Sequence, residues 1–414
     1  MMKRIILLTC FAGLGISTSA IAQQPPLRLN LQSVVETFIQ NNLDLQAARY
    51  RVDRAKADQV AARLRPNPSL SFTAENLAIS GPTPFSRLYE VGAIYTETIE
   101  LGGKRELRER SATATVSAAE AQFEDTMRRG VADVKRLYLD ALLARYNVEV
   151  ADENRATFEQ LVQFNQTRFQ EGAIPEVELI KVRLERVKFD SSVKQAQVGL
   201  TQATIRLLEK LAASVSSLAE VGGELNFRPL NVDIAALRQS SLNDRSDIRV
   251  SLAEVNAAKE RLALERGRAR ADISPFAGYK RVGGDNTLLF GVNVPLKVRD
   301  ANEGEIARAE ADLKSAEARL QLARNHALAE VESAYAGLQA ARGLVETFQD
   351  ELLRQADEAR TITIAAYEEG GTELLPVLEA QRTRSEVRQQ YFKTLFDYQA
   401  SLIALELAVG REIQ

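Results

Sequence analysis

Tryptophan is missing from this 414-residue chain, cysteine and histidine occur once each, and methionine occurs three times. A single cysteine excludes intrachain disulfides and thiolate metal sites. His326, within Arg324-Asn325-His326-Ala327, has no partner His or Cys, and Met127 is the only internal methionine. Core or surface roles fit both better than soft-metal ligation. No nucleophile constellation, phosphate loop or Cys/His cluster is present, so an enzyme reading has no support. No catalytic, cofactor or metal residue is assigned. Basic excess is lacking as well: 53 Lys and Arg stand against 56 Asp and Glu, which gives nucleic acid no basic face to meet. Long hydrophobic runs are absent beyond the first residues, so no mature transmembrane helix is expected. A membrane role would have to rest on strands.

What the N-terminus does contain is a leader. Lys3 and Arg4 precede the apolar Ile5–Ile16, and Ala20-Ile21-Ala22 offers small residues for cleavage before Gln23. A signal peptide is therefore expected over residues 1–22. Cys10 lies inside it, behind the poor lipobox Leu7-Leu8-Thr9, so cleavage is favoured over acylation. The mature chain would then carry 51 basic and 56 acidic residues, a net charge of −5.

The rest of the chain says the same thing twice, about 200 residues apart. Asn42–Asp44 and Asn243–Asp247 each open a helical run that ends in a short apolar strand, Pro66-Asn67-Pro68-Ser69-Leu70-Ser71-Phe72 or Ser274-Pro275-Phe276-Ala277-Gly278-Tyr279. A strand pair then feeds a long Ala-rich helix with one late break, at Glu171-Gly172-Ala173 or Glu369-Gly370-Gly371. The two breaks lie 198 residues apart, and Tyr138 and Tyr335 lie 197 apart. A duplication on this scale is a statement about architecture. Its expected organisation is a first repeat over 23–225 and a second over 226–414.

From Gly102-Gly103 to Gln170 there is no proline and one internal glycine, Gly130. That predicts roughly 100 Å of helix. Phe123, Met127, Gly130, Val134, Leu137, Ala141, Ala144, Val148 and Ala151 alternate steps of four and three, the spacing of a coiled coil. Ala327, Val331, Ala334, Leu338, Ala341, Val345, Phe348 and Leu352 repeat it. The flanking charge suits either a solvated surface or the wall of a water-filled cylinder. Each glycine break reads as a helix–turn–helix tip, with Pro175 starting the new helix in the first copy. The returning arms, about Glu176–Ala212 and Thr372–Leu407, are short and must meet other helices end to end. Gln32–Leu64 and Leu237–Arg270 are the candidates, so each copy gives one continuous and one two-piece helical column.

Four segments read as strands: Pro68–Leu77, Leu88–Leu101, Ile273–Val282 and Thr287–Leu296. Leu288, Phe290, Val292 and Val294 alternate with Thr287, Gly291 and Asn293. Strands of about ten residues cross a bilayer when tilted, and Tyr89, Tyr95 and Tyr279 suit an interfacial girdle. A small sheet capping a soluble helical domain is the other reading. In a membrane, four strands leave open edges. Two chains would supply eight strands, a bore filled by side chains, and three would supply twelve.

Thr98-Ile99-Glu100-Leu101-Gly102-Gly103-Lys104-Arg105, Arg65-Pro66-Asn67-Pro68, and Val292-Asn293-Val294-Pro295-Leu296 followed by Arg299-Asp300-Ala301-Asn302-Glu303-Gly304-Glu305-Ile306 carry a family likeness. Across essentially the whole mature chain the layout resembles the TolC family of outer-membrane efflux channels, closest to its heavy-metal, CzcC-like branch. The resemblance implies a mainly α fold: a long α-helical barrel with a four-stranded contribution to a trimeric 12-stranded β-barrel. It implies a homotrimer in outer-membrane lipid, a helical tunnel in the periplasm, a periplasmic adaptor (membrane fusion) protein docking at Gly172, Ala173, Gly370 and Gly371, and an inner-membrane RND pump. It also implies a periplasmic gate in the motif matching Thr372–Ala380. There Glu379 keeps the second of two acidic positions and Pro376 takes the first, while Glu178 and Lys181 are the first-copy equivalents. The expected function is a passive conduit exporting heavy-metal cations. A duct for drugs or type I secretion cargo shares the same plan; a periplasmic adaptor or a structural coiled coil fits the duplication less well.

Overall fold

The computed structural model describes residues 27–214 and 219–413. The expected leader, with Cys10, lies outside the described residues. In the first copy β1 (Leu27–Leu29) precedes helices α1 (Leu31–Asn41) and α2 (Leu43–Arg63), strand β2 (Ser69–Glu75), the short helix α3 (Phe85–Leu88) and strand β3 (Glu90–Thr96). Then come α4 (Lys104–Gln170), α5 (Glu176–Lys210) and β4 (Ala219–Val221). The second copy runs through α6 (Ile234–Asp244), α7 (Ser246–Arg268), β5 (Ser274–Val282), β6 (Asp285–Asn293), α8 (Glu303–Thr347), a π-helical turn (Phe348–Leu352), α9 (Leu353–Glu368) and α10 (Leu374–Val409).

Helix α4 is 67 residues long, about 100 Å at the α-helical rise. It starts where Gly102 and Gly103 turn the chain with φ of 76° and 70°, a region open to glycine because it lacks a Cβ. Asn302 takes the matching position before α8 at φ 67°. Of the expected seam residues in α4, Gly130, Val134, Ala141 and Ala151 are buried and none is exposed. At Gly130 the ring of Phe38 fills the space, so a Cβ there would meet Cζ at 2.3 Å.

The second seam departs from its pattern at one residue. Ala327 through Val345 stay against the core, but Leu352 is exposed. The π-helical turn at Phe348–Leu352 takes up one extra residue, so the stripe resumes one position later, at half-buried Leu353 and buried Ala356.

The helices form four columns side by side. Pieces α2 and α5 flank α4 on one side, α7 and α10 flank it on the other, and α8–α9 lies beyond α7 and α10. The end-to-end joints anticipated above occur at Asn42 and Arg245. Each expected run, Gln32–Leu64 and Leu237–Arg270, is split there, because both residues adopt extended backbone. The second break falls at Arg245, leaving Asn243 inside α6. Asn42 caps α2 by accepting from Leu45 N at 3.0 Å and donates its Nδ2 to Lys210 O at 2.8 Å, closing the end of α5. Arg245 donates to Ala408 O near the end of α10 at 3.0 Å.

The short elements form a collar at this height. Strands β1 and β4, absent from the sequence expectation, pair in parallel, Leu27 with Ala219. Leu29, Val34 and Phe38 belong there to one core with Tyr138, Leu142, Leu207, Leu338 and Leu405, the larger of two among the described residues.

The four long strands make one antiparallel sheet in the order β2-β3-β5-β6, so the two halves of the sequence meet at β3 and β5. They span seven, seven, nine and nine residues, shorter than expected. Leu88 belongs to α3, Ile99 pairs with Ile273 only as an isolated bridge, and Pro295 cannot extend the ladder because it has no N–H.

Candidate functional site: a two-faced sheet and two helical tips

Register assigns every strand residue to a face. On one face Leu70 lies beside Tyr95, Phe72 beside Ala93, Tyr279 beside Leu288 and Ala277 beside Phe290. These large apolar side chains are exposed, Phe72 and Phe290 by 77% and 76%. On the other face run Ser69, Ser71, Thr73 and Glu75 of β2, with Glu90, Gly92, Thr96, Lys280, Asp285 and Thr287 from its neighbours; it is the more polar face, interrupted by Ile94, Phe276, Val282 and Leu289. Several of these are half-buried, as on the concave side of a curved sheet. Tyr95 and Tyr279 stand on the apolar face as a girdle requires, whereas Tyr89 stacks on Phe85 at the corner before β3, with ring centroids 5.3 Å apart.

Polar contacts fasten the sheet to the helices. Lys104 Nζ and Leu101 N both donate to Asp272 Oδ1, at 2.8 and 3.0 Å. Arg108 pairs with Glu100 and donates to Leu64 O at 2.9 Å. In the second copy Asn302 donates to the backbone of buried Glu265 at 2.9 Å. The junction motif singled out in the sequence is therefore a clamp between strand and helix.

The tips sit at the far end of the columns. Gly172 and Gly370 have φ of 75° and 80° and close the helix ends alike. Ala173 N donates to Arg168 O and Gly371 N to Ala366 O, each at 2.8 Å, a Schellman-type turn. Gly172, Ala173, Gly370 and Gly371 are all exposed. Pro175 serves as the N-cap of α5. Pro376 is the third residue of α10, where a missing N–H leaves no intrahelical bond unmade. Pro376 and Glu379 are exposed, and Glu379 has no ion-pair partner among the described residues.

Glu178, in the first turn of α5, is half-buried. Its charge reaches Tyr367 on the other hairpin: burial pushes the Tyr367 hydroxyl up, the hydrogen bond to Asn165 and the charge of Arg168 oppose this, and Glu178 adds to the rise. Tyr367 donates to Asn165 at 2.7 Å inside a small core of Phe158, Leu161, Val182 and Val377. The fold thus brings Glu178 against the second hairpin and leaves Glu379 facing solvent.

One cluster went unseen in the sequence. Buried Gln381 donates to Asn154 Oδ1 at 2.7 Å and accepts from Arg360 at 2.8 Å, while Arg360 also donates to Thr157 at 3.1 Å. Burial, with Arg384 nearby, holds the Arg360 guanidinium below its usual range. A signal was available: Asn154, Phe158, Leu161 and Asn165 continue the seam past Ala151 in steps of three and four, with asparagine at two core positions. His326 is exposed and pairs with Glu330 at 3.0 Å. Among the described residues no group of His, Cys, Asp or Glu is arranged to hold a metal ion, and no helix is long and apolar enough to cross a membrane.

A sheet with an apolar and a polar face, set on helices of this length, defines the wall of a membrane pore with an attached conduit. Sequence comparison gives the particular family. The chain belongs to the outer membrane efflux protein family, whose pattern matches residues 34–213 and 237–411. It is therefore an outer-membrane protein of the efflux class. It is similar to the cobalt-zinc-cadmium resistance protein CzcC of Cupriavidus metallidurans, at 26% identity over 92% of this chain and 90% of that one. Nodulation protein T of Rhizobium leguminosarum bv. trifolii is 23% identical over 92% and 85%. Crystal structures of CusC share the fold, with a TM-score of 0.75, 19% identity, and 95% and 96% of the two chains covered.

Proposed function

We propose that three copies of this chain close into a passive channel through the outer membrane, each supplying two near-equivalent repeats, about 23–225 and 226–414. The observation that carries this reading is the sheet with two bare edges. Strands β2 and β6 each have one neighbour, and unpaired backbone groups facing lipid cost several kcal/mol each. Pairing β6 of one copy with β2 of the next removes the edges, and three copies give twelve strands with the polar face lining the bore. The outer helical columns support the same closure. On the side of α5 away from α4, Val177, Ile180, Leu184 and Val187 form an exposed apolar stripe at coiled-coil spacing. Ile362 and Leu344 stand exposed on the opposite edge.

The cargo reading is heavy-metal cations, supported by similarity to metal-resistance proteins over nearly the whole chain. Energy would come from an inner-membrane RND pump, coupled through a periplasmic adaptor at Gly172, Ala173, Gly370 and Gly371. Glu379 and Glu178 supply an acidic mouth at the tips, with Pro376 at the position between tip and Glu379, by the logic of charged rings in cation pores. Single-channel recording of Glu379→Ala tests the mouth: cation selectivity should fall, and an unchanged value sinks the role. The likeness to a nodulation protein favours a second cargo class. Sensitivity profiling of a deletion strain separates them: hypersensitivity to cobalt, zinc or cadmium supports metal export, while sensitivity confined to organic compounds overturns it.

A further inference from the structure

We propose that Lys280 sets the charge selectivity of the outer mouth, acting as the one cation among the described bore-facing strand residues of a carboxylate-rich rim far from the helical tips. This rests on the trimeric channel reading. On the polar face the paired strands form rows across the sheet. Nearest the helices are Ser69, Thr96, Phe276 and Gly291, then Ser71, Ile94, Gly278 and Leu289. Neither row carries charge. The third row places Lys280 between Gly92 and Thr287, and the last holds Glu75, Glu90, Val282 and Asp285.

Across these four rows, then, one ammonium stands against three carboxylates, all at the end remote from the helices. Lys280 reaches up into the acidic row. It lies 3.5 Å from Glu75 and pairs directly with Glu90, which also accepts from Asn76 Nδ2 at 2.9 Å. Arg281, next along β5, points to the apolar face and donates to Gly283 O, so it does not share the bore. Three copies would bring nine carboxylates and three lysines to one rim. The surplus is negative and favours cations. Lys280 tempers it by engaging the two glutamates that would otherwise face a permeating ion bare.

The test uses the full-length protein in planar bilayers under a salt gradient. Near 0.1 M salt the screening length is about 10 Å, long enough for the rim to act. Lys280→Gln should move the reversal potential toward the cation limit, Lys280→Arg should leave it at the wild-type value, and the double variant Glu75→Gln, Glu90→Gln should move it the other way. Near 1 M salt, where the length falls to about 3 Å, all differences should shrink. A Lys280→Gln channel that inserts and conducts with the wild-type reversal potential overturns the proposal. Should that variant fail to assemble, the glutamate pair decides by the same criterion. Wild-type protein that inserts without conducting overturns the channel reading instead.

Discussion

Arg245 shows what a guanidinium needs in order to be buried at a helix joint. It is 2% exposed, and its charge is answered twice, by Asp247 through Nε at 2.9 Å and by Glu330 at 2.5 Å. It also closes the carbonyl end of α10, where a cation is favoured by the helix dipole. Burial pushes the Asp247 carboxyl up, but the hydrogen bond and charge of Arg245 outweigh it and leave the group below its ordinary value. A carboxylate depressed in the folded state contributes stability above its unfolded pKa of about 3.9, and the contribution is lost as pH falls through the folded value. Asp247→Asn should therefore cost about 1.5–3 kcal/mol at neutral pH, the worth of a charged hydrogen bond. In thermal melts the gap to wild type should be constant above about pH 5 and close in stronger acid. A gap independent of pH would show that shape rather than charge matters at this site. Legibility at this scale depended on pattern. Helix openings were legible at Asn42–Asp44 and Asn243–Asp247, but the aligned Asn42 and Arg245 share no chemistry, so their common contact to the end of a returning helix was not; the asparagines of the lower seam were readable as polar residues in a heptad.

At the scale of elements, the second hairpin is held to the first by a few polar side chains in a thin core. Gln381 joins Asn154 on α4 to Arg360 on α9. Gln381→Ala would leave Asn154 Oδ1 and Arg360 Nε without their partner, at about 1–3 kcal/mol each, while Asn154 keeps Ser385 and Arg360 keeps Thr157. Amide exchange in α9 and the lower half of α10 should then rise, with the collar core around Phe38 and Leu142 unchanged. A uniform rise over the chain would mean that the network stabilises the whole fold rather than the tip. The strands, tips and long helices were legible because period and glycine placement survive without tertiary context. The π-helical turn was not, since Leu352 fits the heptad by spacing and only the packed helix reveals the extra residue. Collar strands of three residues carry too little pattern to be seen.

For the whole molecule, the duplication was the clearest message of the sequence, and four helical columns are what two columns per copy would give. The proposed trimer rests on edges instead. Leu184 is 61% exposed in the single chain, so Leu184→Glu should leave each chain folded while weakening the trimer, as sedimentation velocity in detergent would show. An intact trimer would place the contact elsewhere. The two joints have a mechanical meaning as well. A pull on either tip travels along α4 or α8–α9 through unbroken backbone to the sheet. Along the two-piece columns the backbone ends at mid-height, where Asn42 Nδ2 donates to Lys210 O and Lys210 Nζ lies 3.6 Å from Asp44. Of the four columns, then, only α4 and α8–α9 tie a tip to the sheet by continuous backbone, and the jointed pair passes load to them sideways, through the packing of α5 on α4 and of α10 on α8.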